Sequence, residues 1–229
     1  REKAKQGFVQ VDGNQFDQPI PVGDPGAKRA AVGDKVVIEM VRFPEAQDAG
    51  EAVLTEVLGP RGEPGVDTQM ILHEFLIRQE FPEEVLEDAR QQAAQFDEDD
   101  FSEREDFTSV PIITIDPVDA RDFDDAVYAE PAGQGWKLIV AIADVSHYVT
   151  VGDALDNEAV KRGTSTYFPD RVVPMLPEEL SNGLCSLNPD VDRLCLVCEM
   201  KVAATGKVDR SKFYRGVMRS HARLTYAQV

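Results

Sequence analysis

Short runs of β-branched and apolar residues recur through the first part of the chain, and turn-forming residues separate them. Residues 7–11, 35–41 and 51–58 have the length and composition of strands, and residues 12–14 form a turn signal. Several short strands at this spacing predict a small antiparallel β-barrel over residues 1–60. The pattern fits an OB-type nucleic-acid-binding barrel and a purely structural barrel equally well.

The middle of the chain, residues 61–109, is predicted to be a helical and acidic connector. Residues 59–65 are rich in Gly and Pro, and apolar residues then follow at helical spacing. Pro82 is expected to begin a second helix. The dense acidic run over residues 97–106 predicts a solvated loop and no binding site.

From residue 110 the pattern becomes a mixture of strands and helices. Residues 110–115, 136–143 and 194–200 are apolar and β-branched, which predicts buried strands, and residues 155–162 have helical spacing. Residues 110–229 are therefore expected to form a mixed α/β domain. The predicted fold class of the whole chain is α+β.

Composition limits the cell compartment and bears on the partner. Three cysteines make a disulfide framework improbable and favour a reducing cytoplasm. No apolar run approaches the roughly 20 residues of a membrane helix, and no secretory signal opens the chain. The chain starts at Arg1 and stops at Val229 without a terminal signal, so we expect a piece of a longer protein.

The net charge of −18 argues against a nucleic-acid partner, because phosphate binding normally depends on Lys and Arg. Bound divalent cations can reverse the local sign of a carboxylate site. Basic surface can also lie in other parts of a longer protein. The charge therefore counts against nucleic-acid binding unless a specific motif outweighs it.

A cluster of carboxylates follows the apolar run at residues 110–115. Asp116 lies where that predicted strand ends, and Asp122, Asp124 and Asp125 follow closely. If the loop folds back, the four carboxylates converge, which is unfavourable without a cation. Mg²⁺ takes oxygen ligands, so a divalent-metal site fits this cluster.

Two Mg²⁺ ions about 4 Å apart suit phosphodiester hydrolysis, and that chemistry requires no histidine or lysine base. A solvated acidic loop is the plainer alternative, although the loop directly follows a buried strand. A Ca²⁺-binding EF-hand loop is excluded, because Val118 and Arg121 occupy positions that require Asp or Asn and Gly. Spacing alone thus leaves a metal site and an acidic loop open.

A longer and ordered similarity to a known family begins at the carboxylate cluster. The stretches that carry it are residues 114–126, 136–146, 162–169, 173–177, 180–189 and 220–226. Together they resemble the catalytic domain of the ribonuclease II / ribonuclease R exoribonuclease family, and residues 120–128 are closest to its ribonuclease R branch. Residues 5–60 resemble, more weakly, the cold-shock domain that precedes the catalytic domain, which favours the OB-type barrel.

The resemblance implies roles for five residues. Asp116 and Asp125 correspond to direct ligands of the better-occupied Mg²⁺, and Asp122 helps to bind metal or to orient water. Asp124 corresponds to the residue whose loss most cleanly abolishes the chemistry. Tyr167 corresponds to the aromatic residue that stacks on the terminal nucleotide and holds the RNA 3′ end.

The resemblance also implies a reaction and its partners. The family hydrolyses single-stranded RNA processively from 3′ to 5′ and releases nucleoside 5′-monophosphates, and the ribonuclease R branch also degrades structured RNA with a 3′ tail. Contacts to the 2′-hydroxyl select RNA, so DNA is not an expected partner. The family's catalytic domain continues beyond Val229 with an arginine-bearing phosphate-binding segment, a second stacking aromatic residue and further RNA-binding parts. These missing segments are expected partners of the chain.

Other interpretations remain open at this point. The chain can be a non-catalytic module that binds RNA or protein, or a metal-dependent DNA nuclease or phosphatase. Cys195 and Cys198 are three apart on a predicted strand and so face opposite sides, which favours buried small residues over a zinc site. Asp144 and His147 either line an RNA channel or have a structural role.

Overall fold

The chain divides into two compact units in a computed structural model. The structure describes residues 7–13, 16–23, 25–45, 48–96, 101 and 103–229. The first unit is Arg1–Gln79 and the second is Glu80–Val229. The two helices of the expected connector therefore belong to different units. Parts of the predicted turn at residues 12–14 and of the acidic run over residues 97–106 lie outside the described residues.

Among the described residues, the first unit contains a four-stranded sheet, one α-helix and the short 3₁₀ turn Pro25–Lys28. Its elements are β1 (Gly7–Val9), β2 (Ile20–Val22), β3 (Asp34–Arg42), β4 (Glu51–Pro60) and the helix α1 (Val66–Glu74). The strand order is β1-β2-β4-β3. The pairs β1–β2 and β3–β4 are antiparallel, whereas β2 pairs with β4 in parallel at Val22 and Ala52. The pairing is therefore antiparallel apart from this one parallel bridge, which forms because β2 reaches β4 across a crossover that contains β3.

Alternation along the short strands produces the small core of this unit. Ile20 and Val22 in β2 are buried together with Ala52 in β4. Ile38 and Met40 in β3 are two residues apart and pack against the same cluster. The strands predicted around residues 35–41 and 51–58 are confirmed.

The second unit contains a seven-stranded sheet. The strands of this unit, in the sheet and in a separate hairpin, are β5 (Glu105–Phe107), β6 (Ile113–Asp116), β7 (Asp125–Ala132), β8 (Gly135–Ala143), β9 (Thr166–Tyr167), β10 (Val172–Val173), β11 (Asp192–Val202), β12 (Val208–Arg219) and β13 (Ala222–Thr225). Its helices are α2 (Glu83–Gln95), α3 (Ala154–Arg162), the 3₁₀ turn Val145–His147 and the π-helical turn Glu179–Leu184. The sheet order is β13-β6-β7-β8-β11-β12-β5, and β9 and β10 form a separate hairpin.

One face of this sheet forms the main core. In β8, Ile139 and Ala141 alternate toward this face and are buried, and Val85 of α2 and Leu155 of α3 belong to the same cluster. The opposite face is more exposed, as Ile142 shows. The predicted strands at residues 136–143 and 194–200 and the helix at 155–162 are confirmed. The helix α2 starts directly after Pro82, also as predicted.

Two local expectations are wrong. The acidic run over residues 97–106 is not simply a solvated loop, because its end enters strand β5, which pairs in parallel with residues 216–218 of β12. Phe107 at the end of β5 is buried, and this burial draws the strand onto the sheet. Asp125 does not lie in the acidic loop but begins β7, where it pairs with Ile142.

Candidate metal and RNA site

Adjacent strands bring the carboxylates to one end of the sheet. Strand β6 ends at Asp116 and strand β7 begins at Asp125. The two strands are antiparallel and pair at Ile113 and Val127. Asp116 lies three residues after Ile113, at the end of β6, and Asp124 lies three residues before Val127, just ahead of β7. The predicted cluster thus comes from two neighbouring strand ends and the loop between them.

The loop between β6 and β7 is anchored through Phe123. This side chain is buried, and its backbone N–H donates to Ser186 Oγ at 3.0 Å. Ser186 Oγ donates in turn to the Arg121 carbonyl at 2.9 Å, and the Leu187 N–H donates to the Phe123 carbonyl at 2.8 Å. Asp122 and Asp124 flank Phe123, so this anchor limits where both carboxylates can lie.

Arg223 in β13 holds the other side of the loop. Its guanidinium lies 4.8 Å from the centre of the Phe123 ring and donates to the carbonyls of Val118 at 2.6 Å and Ala120 at 3.0 Å. Burial and the charge of Asp125 raise the pKa of Asp116, and the charge of Arg223 partly opposes this rise. The sequence similarity extended over residues 220–226 without assigning Arg223 a role. Parallel pairing of β13 with β6, which places Arg223 beside Thr114, brings it to the site.

The carboxylates interact electrostatically in the absence of a cation. Burial raises the pKa of Asp116, and the charges of Asp125 and Asp122 raise it further. Asp116 Oδ2 is buried and has no hydrogen-bond partner among the described residues. Asp124 is exposed as a whole residue, although its carboxyl group is partly buried. This burial raises the pKa of Asp124, and the charges of Asp122, Asp125 and Asp116 raise it further. Such crowding disfavours full ionisation.

Tyr167 touches the cluster through its hydroxyl group. It lies on the β9–β10 hairpin and donates to Asp122 Oδ2 at 2.5 Å. This hydrogen bond, followed by burial, raises the pKa of Tyr167 to about 12. The residue is nevertheless 63% exposed, so its ring remains accessible. The predicted RNA-stacking residue and a predicted metal ligand are therefore in direct contact.

The four aspartate side chains are not arranged as a metal coordination sphere in this structure. Among the described residues, no three His, Cys, Asp or Glu side chains form a group that can hold a metal ion as they stand. The donor set still fits a hard divalent cation, because all four groups supply carboxylate oxygens. The unpartnered Asp116 Oδ2 and the raised pKa values of Asp116 and Asp124 are costs that a cation would relieve.

The second acidic candidate is part of a buried ion pair. Asp144 Oδ2 lies 2.8 Å from the Arg104 guanidinium, and both side chains are almost fully buried. Asp144 Oδ1 accepts from Ser146 Oγ at 2.7 Å, and His147 Nδ1 lies 3.4 Å from Arg104. These contacts give Asp144 a structural role in joining the end of β8 to residue 104.

The cysteines do not form a metal site within the described residues. Cys195 pairs with Ala143 and is buried, whereas Cys198 pairs with Val140. Three residues apart on β11, their side chains point to opposite faces of the sheet. The sequence interpretation of these residues as strand positions holds.

Family comparisons agree with this architecture. A family model described as RNB domain matches residues 104–229, and a model described as Cold shock domain matches residues 8–82. The chain belongs to the RNB domain family. The cold-shock match and the structural likeness reported below also confirm the α+β fold class with an OB-type first domain.

Several relatives of this RNB-family chain are ribonucleases R. Ribonuclease R of Vibrio cholerae is 48% identical over 97% of this chain, and that of Escherichia coli K12 is 45% identical over 99%. A solved structure of Mycoplasma genitalium RNase R in complex with double-stranded RNA has a TM-score of 0.82 at 30% identity and covers 97% of this chain.

The match covers only part of these proteins. The chain spans 27% and 28% of the two curated relatives and 41% of the solved chain. It therefore spans about a quarter of the length of the curated relatives it matches. Within the described residues, no helix has the length and apolar character needed to cross a bilayer.

Proposed function

We propose that this chain is part of a Mg²⁺-dependent hydrolytic 3′-to-5′ exoribonuclease. The proposed substrates are single-stranded RNA and structured RNA with a single-stranded 3′ end, and the proposed products are nucleoside 5′-monophosphates. The observation that supports this function best is the crowding of Asp116, Asp122, Asp124 and Asp125 at the joined ends of β6 and β7. A family member with this cluster has the carboxylates that phosphodiester hydrolysis with metal ions requires.

We assign metal binding and catalysis to the four aspartates at the ends of β6 and β7. Asp116, Asp122, Asp124 and Asp125 would hold Mg²⁺, and Asp122 and Asp124 are proposed as catalytic residues. When bound, the ion supplies a Lewis acid that activates water and stabilises the leaving oxygen. The Phe123 anchor keeps the loop carboxylates in place, so less reorganisation is needed when the ion and the substrate arrive.

The RNA 3′ end is proposed to stack on Tyr167. The exposed ring of Tyr167 offers a π-face, and base stacking on aromatic residues is a common mode of single-strand binding. One neighbour, the Mycoplasma genitalium RNase R, has been solved with double-stranded RNA and with ribose-methylated single-stranded RNA. These complexes support RNA as the partner of this chain, whereas DNA is not expected.

The remaining assignments are proposals of the same kind. Residues 1–60 are proposed as a cold-shock RNA-binding domain, residues 61–109 as a connector and residues 110–229 as the N-terminal part of the catalytic domain. The cytoplasm is the proposed compartment, in line with three cysteines that form no disulfide. Further segments of a longer polypeptide are proposed partners, because the curated relatives are several times longer.

The test is release of 5′-monophosphates from RNA labelled along its length, using the polypeptide that contains this chain. We expect Mg²⁺-dependent release from RNA and none from DNA of the same sequence. Asp124→Asn should abolish release while RNA binding persists. Asp119→Asn is a matched control, because Asp119 is an exposed aspartate of the same loop that is not assigned to the metal. Full activity of Asp124→Asn would reject the proposed function.

A non-catalytic RNA- or protein-binding module is the second candidate. It is favoured by the absence, among the described residues, of three His, Cys, Asp or Glu side chains that can hold a metal ion as they stand. Titration with RNA at low salt separates the two functions. Tight, salt-sensitive binding without products at any Mg²⁺ concentration favours the binding module.

A further inference from the structure

The hydrogen bond between Tyr167 and Asp122 joins two parts of the proposed site that have different tasks. Asp122 is 45 residues away in sequence, on the loop between β6 and β7, whereas Tyr167 ends the short strand β9. The hydroxyl donates to Asp122 Oδ2 at 2.5 Å, a length typical of a strong bond to a carboxylate. Among the described residues, Tyr167 is the hydrogen-bond partner of this carboxylate.

The hairpin that carries Tyr167 is itself held in place. Tyr167 pairs with Val172, and the Phe168 N–H donates to the Arg171 carbonyl at 2.8 Å to close the turn. Val173 on the returning strand is buried, and Ser165 Oγ accepts from the Met175 N–H at 3.0 Å. The hydroxyl therefore reaches Asp122 from an anchored element, so this contact is built into the fold.

We infer that Tyr167 is a positioning residue for Asp122, acting through its hydroxyl group separately from any stacking by its ring. The inference rests on the proposed function and deepens it. With Oδ2 held by the hydroxyl, Asp122 would bind a cation through Oδ1. Hydrogen-bond partners of metal-binding carboxylates orient the ligand, and their loss commonly weakens metal binding by 10- to 100-fold.

This arrangement links the cation to the RNA end. The same side chain presents its ring to a nucleotide and its hydroxyl to a metal-binding carboxylate, so a nucleotide that fixes the ring also fixes Asp122. Linkage between two sites is reciprocal, so RNA should tighten cation binding by the factor by which the cation tightens RNA binding. Removal of the hydroxyl should reduce this factor while the ring still stacks.

The experiment uses Mn²⁺ as a paramagnetic hard cation and measures its dissociation constant by electron paramagnetic resonance, without turnover. Tyr167→Phe keeps the ring and removes the hydroxyl. We expect its Mn²⁺ affinity to fall by about tenfold relative to the unmodified chain. Tyr128→Phe is the matched control, since Tyr128 also donates to a carboxylate, Glu130 Oε2 at 3.0 Å, on another part of the sheet. This control should leave Mn²⁺ affinity unchanged.

A second measurement separates the hydroxyl from the ring. Affinity for a short single-stranded RNA, measured in chelator, should be unchanged in Tyr167→Phe and reduced in Tyr167→Ala. With Mn²⁺ present, the mutual tightening of RNA and Mn²⁺ should shrink in Tyr167→Phe. Circular dichroism should show all variants folded, because Tyr167 is largely exposed.

Each outcome has a defined meaning. If Tyr167→Phe binds Mn²⁺ as tightly as the unmodified chain, or more tightly, the positioning role is wrong, although the proposed function can stand. If the unmodified chain binds Mn²⁺ no better than a chain with Asp116→Asn and Asp124→Asn, the metal site itself is wrong. That second result would overturn the proposed function together with the inference.

Discussion

At the scale of single residues, Asp144 shows how burial turns a charge into a structural contact. Its carboxylate meets the Arg104 guanidinium at 2.8 Å, and the exposed fractions of the two side chains are 1% and 6%. Burial by itself would raise the pKa of Asp144. Hydrogen bonds from Ser146 and Arg104, with the charges of Arg104 and Arg215, outweigh burial and lower the pKa.

Asp144→Asn should destabilise the second unit by about 3 kcal/mol, because it leaves the buried charge of Arg104 without its counter-ion. The free energy of unfolding, measured with urea at pH 7, checks this value. Asp119→Asn should change it little, since that residue is exposed. An equal and small effect of both substitutions would show that the buried pair contributes nothing.

The same pair predicts a dependence on pH. The folded pKa of Asp144 lies below its unfolded value of about 3.9, so the pair stabilises the fold fully above that value. Its contribution is lost as the pH falls through the lowered pKa. The stability difference between the unmodified chain and Asp144→Asn should therefore be constant near neutral pH and shrink below about pH 4. Urea titrations at several pH values measure it.

At the scale of elements, the ends of β6 and β7 concentrate negative charge where the fold offers little compensation. Asp116 Oδ2 is buried without a hydrogen bond among the described residues, and neighbouring charges raise the pKa of Asp116. Arg223 is the nearby cation that opposes this effect. A group of this kind costs stability in the absence of metal and contributes to metal binding when metal is present.

Asp116→Asn should therefore stabilise the chain in chelator and remove the stabilisation that Mg²⁺ provides. The amide relieves repulsion from Asp122 and Asp125 but is a poorer ligand for a hard cation. Urea midpoints with EDTA and with Mg²⁺, measured for the variant and for Asp119→Asn, test both halves. Destabilisation in EDTA would contradict the account of charge crowding.

At the scale of the whole molecule, the two compact units differ in what they contribute. All four candidate metal-binding aspartates and Tyr167 lie in Glu80–Val229, whereas Arg1–Gln79 contains most of the region, residues 8–82, that matches the cold-shock model. Because the candidate ligands lie in one unit, cation binding is expected to stabilise that unit.

Mg²⁺ at 100 times its dissociation constant should stabilise the second unit by about 2.7 kcal/mol and leave the first unit unchanged. The single tryptophan of the chain, Trp136, lies in β8 of the second unit and provides a fluorescence probe for it. Thermal unfolding followed at this tryptophan should shift upward by several degrees with Mg²⁺. The shift should be absent in Asp124→Asn, and its persistence there would place the cation elsewhere.

Local sequence patterns predict most of the elements and the order of the two regions. Strands with alternating or β-branched residues, such as those around residues 35–41 and 136–143, follow from local patterning, and Pro82 marks the start of α2. The grouping of Asp116 with Asp122, Asp124 and Asp125 was also predictable, because a strand end and a short loop keep these residues close along the chain.

Long-range strand pairing and loop packing bring distant residues to this cluster. Phe107 is buried at the end of an acidic segment that forms strand β5 and pairs with β12. Parallel pairing of β13 with β6 places Arg223 beside the loop. The Tyr167 hydroxyl reaches Asp122 across 45 residues. Such contacts depend on how strands from distant parts of the chain pair. Local periodicity does not predict this pairing, because the pattern of a strand specifies only which of its faces is buried.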